Sequence, residues 1–81
     1  MKFEDAVKKV DRRYKKYGFP GLAIAKDAGS YWIFQTKVKH REDLPPPILM
    51  NKETGEQRWW DYTRSEDNAL VQRSRQIDFQ L

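Results

Sequence analysis

The stretch ILMNKETGEQRWWDY, residues 48–62, predicts a β-hairpin whose second strand carries two consecutive tryptophans. Successive side chains of a strand point to opposite faces of a sheet, so Trp59 and Trp60 cannot both enter one core. The alternating set that contains Trp60 and Tyr62 offers the larger apolar area, and we expect these two side chains to face the core. Trp59 and Asp61 are then expected on the opposite face.

An amphipathic helix is predicted near the start of the chain. In KFEDAVKKVDRRYKKYG, residues 2–18, apolar residues recur every three or four positions, which is the spacing of one helix face. Gly18 is placed to end this helix. The opposite face is basic, and Lys8, Arg12 and Lys16 on it are candidate partner-binding residues.

A first hairpin is predicted in LAIAKDAGSYWIFQTKVKH, residues 22–40, around the turn at residues 27–30. Trp32 and Phe34 share one face of its second strand and are expected in the core. The proline-rich run that follows is expected to be a surface connection. The opposite face of the second strand carries four further candidate binding residues: Tyr31, Ile33, Lys37 and Lys39.

The end of the chain predicts a second helix. Thr63 and Glu66 have capping-box spacing, and residues 65–77 can then wind as a short helix. The predicted fold is a single α+β domain, residues 1–81. It comprises a four-stranded antiparallel sheet of two hairpins, with the N-terminal and C-terminal helices on one face and the other face open.

Enzymatic function is not predicted, because the residues that catalysis requires are missing from the sequence. His40 is the single histidine, there is no cysteine, and the four glycines are scattered rather than grouped into a phosphate-binding loop. A lone histidine among exposed charges has no positioned partner for acid–base work or metal binding. We therefore expect no catalytic residues, no metal site and no cofactor.

Charge is distributed unevenly along the chain. Residues 1–41 contain 11 basic and 4 acidic residues, a net +7, whereas residues 42–81 contain 5 and 8, a net −3. A basic first half favours an acidic partner or nucleic acid, although it is equally typical of a solvated helix face. No apolar run approaches the roughly 20 residues of a membrane span, so we expect a cytoplasmic protein without a membrane partner.

An exposed tryptophan ringed by polar groups is typical of a protein-binding surface. The same patch could instead be covered by the tail or by a second copy in a homodimer. The alternative function is nucleic-acid binding, in which bases stack on aromatic rings and cations hold phosphates. That alternative would use Trp59, Tyr31, Lys37, Lys39 and Arg58.

Two segments resemble a known family. The YWIF strand after a glycine turn, and LPPPILM leading into NKETGE, are similar to the small bacterial immunity proteins of polymorphic toxin systems, of the YrhB-like kind. The resemblance spans about residues 3–70. It implies a protein without catalysis that binds and neutralises a cognate toxin made by the same cell. Because immunity proteins against nucleases are typically acidic, the basic charge of this chain favours a toxin that is not a nuclease.

Overall fold

The computed structural model describes residues 1–38 and 44–81. The described residues form two helices and one open sheet of five strands in the order β4-β3-β2-β1-β5, with every neighbouring pair antiparallel. The α+β class and the two hairpins are confirmed, but the sheet has five strands and not four. The elements in chain order are α1 (Phe3–Lys16), β1 (Leu22–Ala28), β2 (Tyr31–Thr36), β3 (Ile48–Asn51), β4 (Gln57–Trp59), α2 (Ser65–Gln72) and β5 (Arg75–Ile77).

The helix α1 packs its apolar stripe against one face of the sheet. At the centre of this core the Tyr14 hydroxyl donates a hydrogen bond of 3.1 Å to the carbonyl oxygen of Phe34, so the buried phenol is satisfied. Trp32 and Phe34 lie in this core, as the alternation of β2 predicts. The buried members of the cluster are Ala6, Val7, Val10, Tyr14, Leu22, Ala25, Trp32, Phe34, Ile48 and Met50.

The helix α2 covers the opposite face of the sheet. Ile33 and Leu49 are register partners on β2 and β3, and both side chains are buried in a second cluster with Leu70 of α2. Ile33 is only 1% exposed. The prediction that both helices lie on one face and leave the other open is therefore wrong. The two central strands are therefore buried on both faces. Continuous apolar runs are typical of strands that are covered on both sides.

The end of the chain also differs from the predicted single helix over residues 65–77. The helix α2 stops at Gln72, and β5 then pairs with β1, with Ile77 opposite Ala25. The expected capping box is absent, because the Thr63 hydroxyl bonds at 2.6 Å to the carboxylate of Asp61 and the cap position is taken by Arg64 without a side-chain bond. The pairing of β5 uses a distant strand, which local spacing does not reveal.

A buried aspartate joins α1 to the start of β1. Asp11 accepts a 2.8 Å hydrogen bond from the backbone N–H of Leu22 and lies 3.0 Å from the Lys15 ammonium. Gly21, at a φ of 116°, presses so closely on Asp11 that a Cβ at this position would collide with the carboxylate. Glycine is therefore required here both for its positive φ and for the space.

The first testable prediction concerns the α1 core. Phe34→Ala should lower the free energy of unfolding by about 3–5 kcal/mol, because the ring is fully buried and its removal leaves a cavity. Urea denaturation followed by circular dichroism measures the loss. Tyr62→Ala is the control, since this aromatic ring is 71% exposed and its loss should change stability by no more than about 0.5 kcal/mol. Equal effects of the two substitutions would contradict the assignment of the core.

Candidate functional site

Trp59 lies at the edge of the sheet on the α1 face. It ends β4 as the register partner of Ile48, whose side chain belongs to the α1 core. The indole is 38% exposed. The prediction that Trp59 shares a face with Tyr31 and Ile33 is wrong, because Ile33 belongs to the cluster under α2. Trp59 and Trp60 do point to opposite faces, but each of these faces is covered by a helix.

Arg13 of α1 holds the Trp59 indole in position. Its guanidinium carbon lies 4.9 Å from the centroid of the indole ring, within cation–π range. The same guanidinium donates a 2.8 Å hydrogen bond to the side-chain oxygen of Gln57, two residues earlier on β4. Arg13 thus links the helix to both side chains that β4 presents on this face, and one face of the indole is fixed before any partner arrives.

Trp60 follows β4 and packs on the α2 side. Its backbone N–H donates a 2.7 Å hydrogen bond to the carbonyl of Pro47, and its half-buried ring contacts the cluster that contains Ile33 and Leu49. Its indole N–H is buried without an acceptor among residues 1–38 and 44–81. The prediction that Tyr62 also turns inward is wrong, because β4 ends at Trp59 and alternation no longer applies beyond it.

A shallow groove runs along the end of β4 and contains the largest exposed apolar side chains of this region. Leu44 and Tyr62 on its walls are exposed by 43% and 71%. Asp61 contributes a carboxylate to it, and hydrogen bonds from the hydroxyl and backbone N–H of Thr63 hold the pKa of Asp61 below its ordinary value. We call this the aromatic groove; it is lined by Leu44, Pro46, Trp59, Trp60, Asp61 and Tyr62.

A buried ion pair sets the geometry beside the groove. The carboxylate of Asp67 on α2 is fully buried and accepts two hydrogen bonds from the Arg58 guanidinium, at 2.7 and 2.6 Å. It accepts a third, at 2.9 Å, from the backbone N–H of Asp61. The bond from Arg58, together with the backbone bond, lowers the pKa of Asp67 despite the opposing effect of burial. The pair ties α2 to β4, and the bond to Asp61 ties α2 to the segment that follows the strand.

The basic candidates of α1 occupy different sides of the helix. Arg13 lies beside β4, and at about 100° per residue Lys16 is about 60° away from it, whereas Lys8 is about 140° away. Lys8, Arg12 and Lys16 are all exposed, and none of the ion pairs within the described ranges includes them. Lys16 therefore flanks the aromatic groove side of α1, while Lys8 faces the far side.

The remaining candidates are not brought to the groove. Tyr31 is half-buried on the α2 side, with the Arg58 guanidinium 5.9 Å from its ring centroid. Lys37 is exposed after β2 and does not line the groove. Lys39, like His40, lies outside the described residues. The structure thus unites Trp59 and Asp61 but separates them from the predicted companions on β2.

Sequence reasoning missed Arg13, Leu44 and Pro46. Arg13 is not among the candidates predicted on the basic face of α1, although its position on the helix wheel next to the apolar stripe is a signal that it borders the core. No local sequence pattern predicts that Leu44 and Pro46 line the groove.

In the part of the chain that the structure describes, no group of three or more acidic or histidine side chains could hold a metal ion. None of its helices is long and apolar enough to cross a bilayer.

The second prediction concerns the ion pair and its pH dependence. Asp67→Asn should cost about 2–3 kcal/mol at neutral pH, because it removes the charge from a buried carboxylate that holds an arginine. The folded pKa lies below the ordinary 3.8 of an unfolded aspartate. The contribution of Asp67 is therefore complete above that value and is lost as pH falls through the lowered pKa.

Urea titrations of both proteins from about pH 7 down to about pH 2 measure this difference. The gap between them should close at the acid end, where Asp67 is protonated. Glu66→Gln on the same helix is the matched control, since Glu66 is exposed and should shift stability little at any pH. A gap that stays constant with pH would show that the charge of Asp67 does not matter.

Comparison with known proteins gave no match: no family model, no curated protein and no solved structure is significantly similar to the chain. The site therefore has to be interpreted from its own chemistry. It combines one fixed indole and further exposed apolar side chains with exposed cations on the adjacent side of α1. These groups suit the contact of a surface more than the making or breaking of a bond.

Proposed function

We propose that this chain is a non-catalytic protein-binding module that docks a partner protein on the aromatic groove. The observation that carries the proposal is Trp59, an indole that is partly exposed at the sheet edge yet held by a cation–π contact with Arg13. Tryptophan and arginine are the residues most enriched where binding energy concentrates. A side chain fixed before binding also loses less conformational entropy on docking, which raises affinity.

The surroundings of Trp59 support the same function. Leu44 and Tyr62 extend the apolar contact area, while Asp61 supplies a charged acceptor at the rim. An apolar centre with a polar rim is the usual anatomy of a protein interface. The binding surface proposed on this basis is the groove at the end of β4, and not the sheet face that carries Tyr31 and Ile33.

The partner that we propose is a cognate toxin, so that the chain acts as an immunity protein. The support is the resemblance of the two hairpin segments to the YrhB-like immunity proteins, together with the cationic side of α1 beside the groove. Cations there suit an acidic toxin surface. The nucleic-acid alternative needed Trp59 and Tyr31 on one sheet surface, and it loses support because these side chains lie on opposite faces.

The third prediction tests Trp59. Trp59→Ala should weaken toxin binding by at least about 2 kcal/mol, about thirtyfold in Kd, because it removes the proposed central anchor. The probe is a toxin domain sought by reading the genes next to the one that encodes this chain, with affinity measured by calorimetry and protection measured by growth of cells that express the toxin. A melting curve shows that the variant remains folded.

Leu81→Ala is the matched control for Trp59. It also truncates an exposed apolar side chain, 64% exposed, but it lies on the far side of α1 near Lys8. We expect full binding and full protection from this control. A folded Trp59→Ala protein that binds and protects as well as the wild type would refute the proposed function, as would binding of single-stranded oligonucleotides in place of the toxin.

The fourth prediction concerns the charges of α1. Lys16→Glu should slow association with the toxin by about threefold or more at low salt and leave dissociation nearly unchanged, because exposed charges steer the encounter and are screened once docked. Lys8→Glu changes the net charge equally on the far side of the helix and should slow association less. Arg12→Glu, between them, should be intermediate. Stopped-flow or surface plasmon resonance at two salt concentrations measures the rates, and equal effects of Lys8 and Lys16 would contradict docking beside β4.

A further inference from the structure

The outward edge of β4 carries backbone groups that have no strand partner among residues 1–38 and 44–81. The N–H of Trp60 donates to Pro47 at 2.7 Å, and the carbonyl of Glu56 accepts from Asn51 at 2.9 Å, so both residues face β3. Hydrogen-bonding direction alternates along a strand, and Gln57 and Trp59 therefore point their N–H and carbonyl groups away from β3. Because β4 is the last strand at this end of the described sheet, these four groups face outward.

The free edge has defined ends. Beyond Trp59, the N–H of Asp61 is taken by the Asp67 carboxylate at 2.9 Å and the carbonyl of Asp61 accepts from Arg64 at 3.0 Å. Before Gln57, the chain turns back toward β3, and the N–H of Gly55 donates to the carbonyl of Asn51 at 2.8 Å. Within the described part of the chain, what is left is an open stretch with two donors and two acceptors, and it leads directly into the aromatic groove.

The edge at the other side of the sheet is different. There β5 presents Arg75 and Gln76, both exposed, and Arg73 precedes them. Charged side chains on an edge strand protect it from pairing with another chain. On β4 the outward-facing residues are instead Gln57 and Trp59, whose side chains are held together by Arg13. Of the two edges, β4 is the one suited to pairing.

We propose that the partner contributes an extended segment that adds to the sheet as a sixth strand beside β4. The segment bonds through its backbone to Gln57 and Trp59, and its side chains alternate between acidic and apolar. This inference rests on the proposed function, because it names the way in which a partner occupies the groove. Strand addition of this kind takes its affinity from main-chain bonds and its specificity from alternate side chains.

The charges beside β4 determine the side chains of that segment. On the α1 face the added strand passes Arg13, with Lys9 and Lys16 within about 60° of it on the helix. Carboxylates on this face would therefore meet three cations. On the opposite face the strand passes Trp60 and the exposed ring of Tyr62, where apolar side chains are favoured.

The same charges argue against a second copy of this chain as the occupant. Two β4 strands paired about a two-fold axis normal to the sheet would place both α1 helices on one face. The cationic sides of the two helices would then face each other across the new pair, and like charges in such positions are unfavourable. An acidic strand from another protein meets no such repulsion.

The experiment uses peptides of about seven residues, long enough to pair with the open stretch, in which glutamate and isoleucine alternate. Two matched versions carry N-methyl groups on alternate residues, one along each edge of the peptide. Only one edge can face β4, so one methylated version should bind like the parent and the other at least about tenfold more weakly, because it loses two or more backbone bonds. A lysine–isoleucine version is the charge control.

Binding is read from the amide resonances of the whole protein by NMR and from hydrogen exchange. We expect the parent peptide to shift the amides of Gln57 and Trp59 and to slow their exchange, and Trp59→Ala to weaken that binding. The inference is overturned if both methylated peptides bind equally, if the shifts are confined to α1, or if no shifts appear at millimolar peptide. It is equally overturned if these amides become protected as the protein alone is concentrated, since a second copy would then occupy the edge.

The inference and the proposed function fail in different ways. If the toxin binds the wild type and loses affinity with Trp59→Ala, but leaves the exchange of the Gln57 and Trp59 amides unchanged, then the groove binds a partner without strand addition. If the peptides pair with β4 while the toxin binds Trp59→Ala normally, the edge is a strand acceptor but the proposed function is wrong.

Discussion

The bidentate ion pair between Arg58 and Asp67 holds the second half of this fold together. Apart from Asp67, the helix α2 buries a single apolar side chain, Leu70, so its apolar contact alone would hold it weakly. Three hydrogen bonds to one fully buried carboxylate fix its place on the sheet. Removing one partner from such a pair leaves the other buried and uncompensated, so each residue requires the other.

The ion pair also lies next to the end of β4, where the proposed binding surface is located. The N–H of Trp60 still bonds to Pro47 beside β3, whereas the N–H of Asp61 bonds to Asp67 of α2. The chain thus leaves the sheet after Trp59, the last residue of β4, and Tyr62 no longer follows the alternation of the strand. The ion pair on the α2 side of the sheet thus lies beside the aromatic groove, because Arg58 immediately precedes Trp59 in β4.

Local chemistry in the sequence was sufficient to predict α1, both hairpins and the end of α1 near Gly18, whose φ is 88°. These features depend on residues a few positions apart. The burial of Ile33 beneath α2 and the pairing of Ile77 with Ala25 depend on residues far apart in the chain. One sequence pattern does indicate that the sheet is covered on both faces: ILM on β3 is a continuous apolar run, which is typical of a strand buried on both faces.

The two tryptophans show why the site itself was harder to predict. Alternation correctly separates Trp59 from Trp60, but it does not say which helix covers which face. Arg13 contacts Trp59 although the two residues are far apart in the sequence, and the loop before β3 brings Leu44 and Pro46 to the groove that contains Trp59. Such contacts follow from the tertiary arrangement. Sequence patterns predict that Trp59 and Trp60 cannot share one core, whereas the fold determines which of them is exposed and where.

The return of the chain to β5 has a consequence for the order of folding. Strands β1 to β4 are neighbours in the sheet in the order of the sequence. The chain after β4, by contrast, must cross the sheet before β5 can pair with β1. Closing so long a loop costs entropy that only distant contacts recover, which slows the step. We expect the four-stranded meander to form first and the β1–β5 pair last, with α2 carrying the chain across. Pulsed hydrogen exchange during refolding would show this as late protection of β5, and protection of β5 before the hairpins would reverse the order.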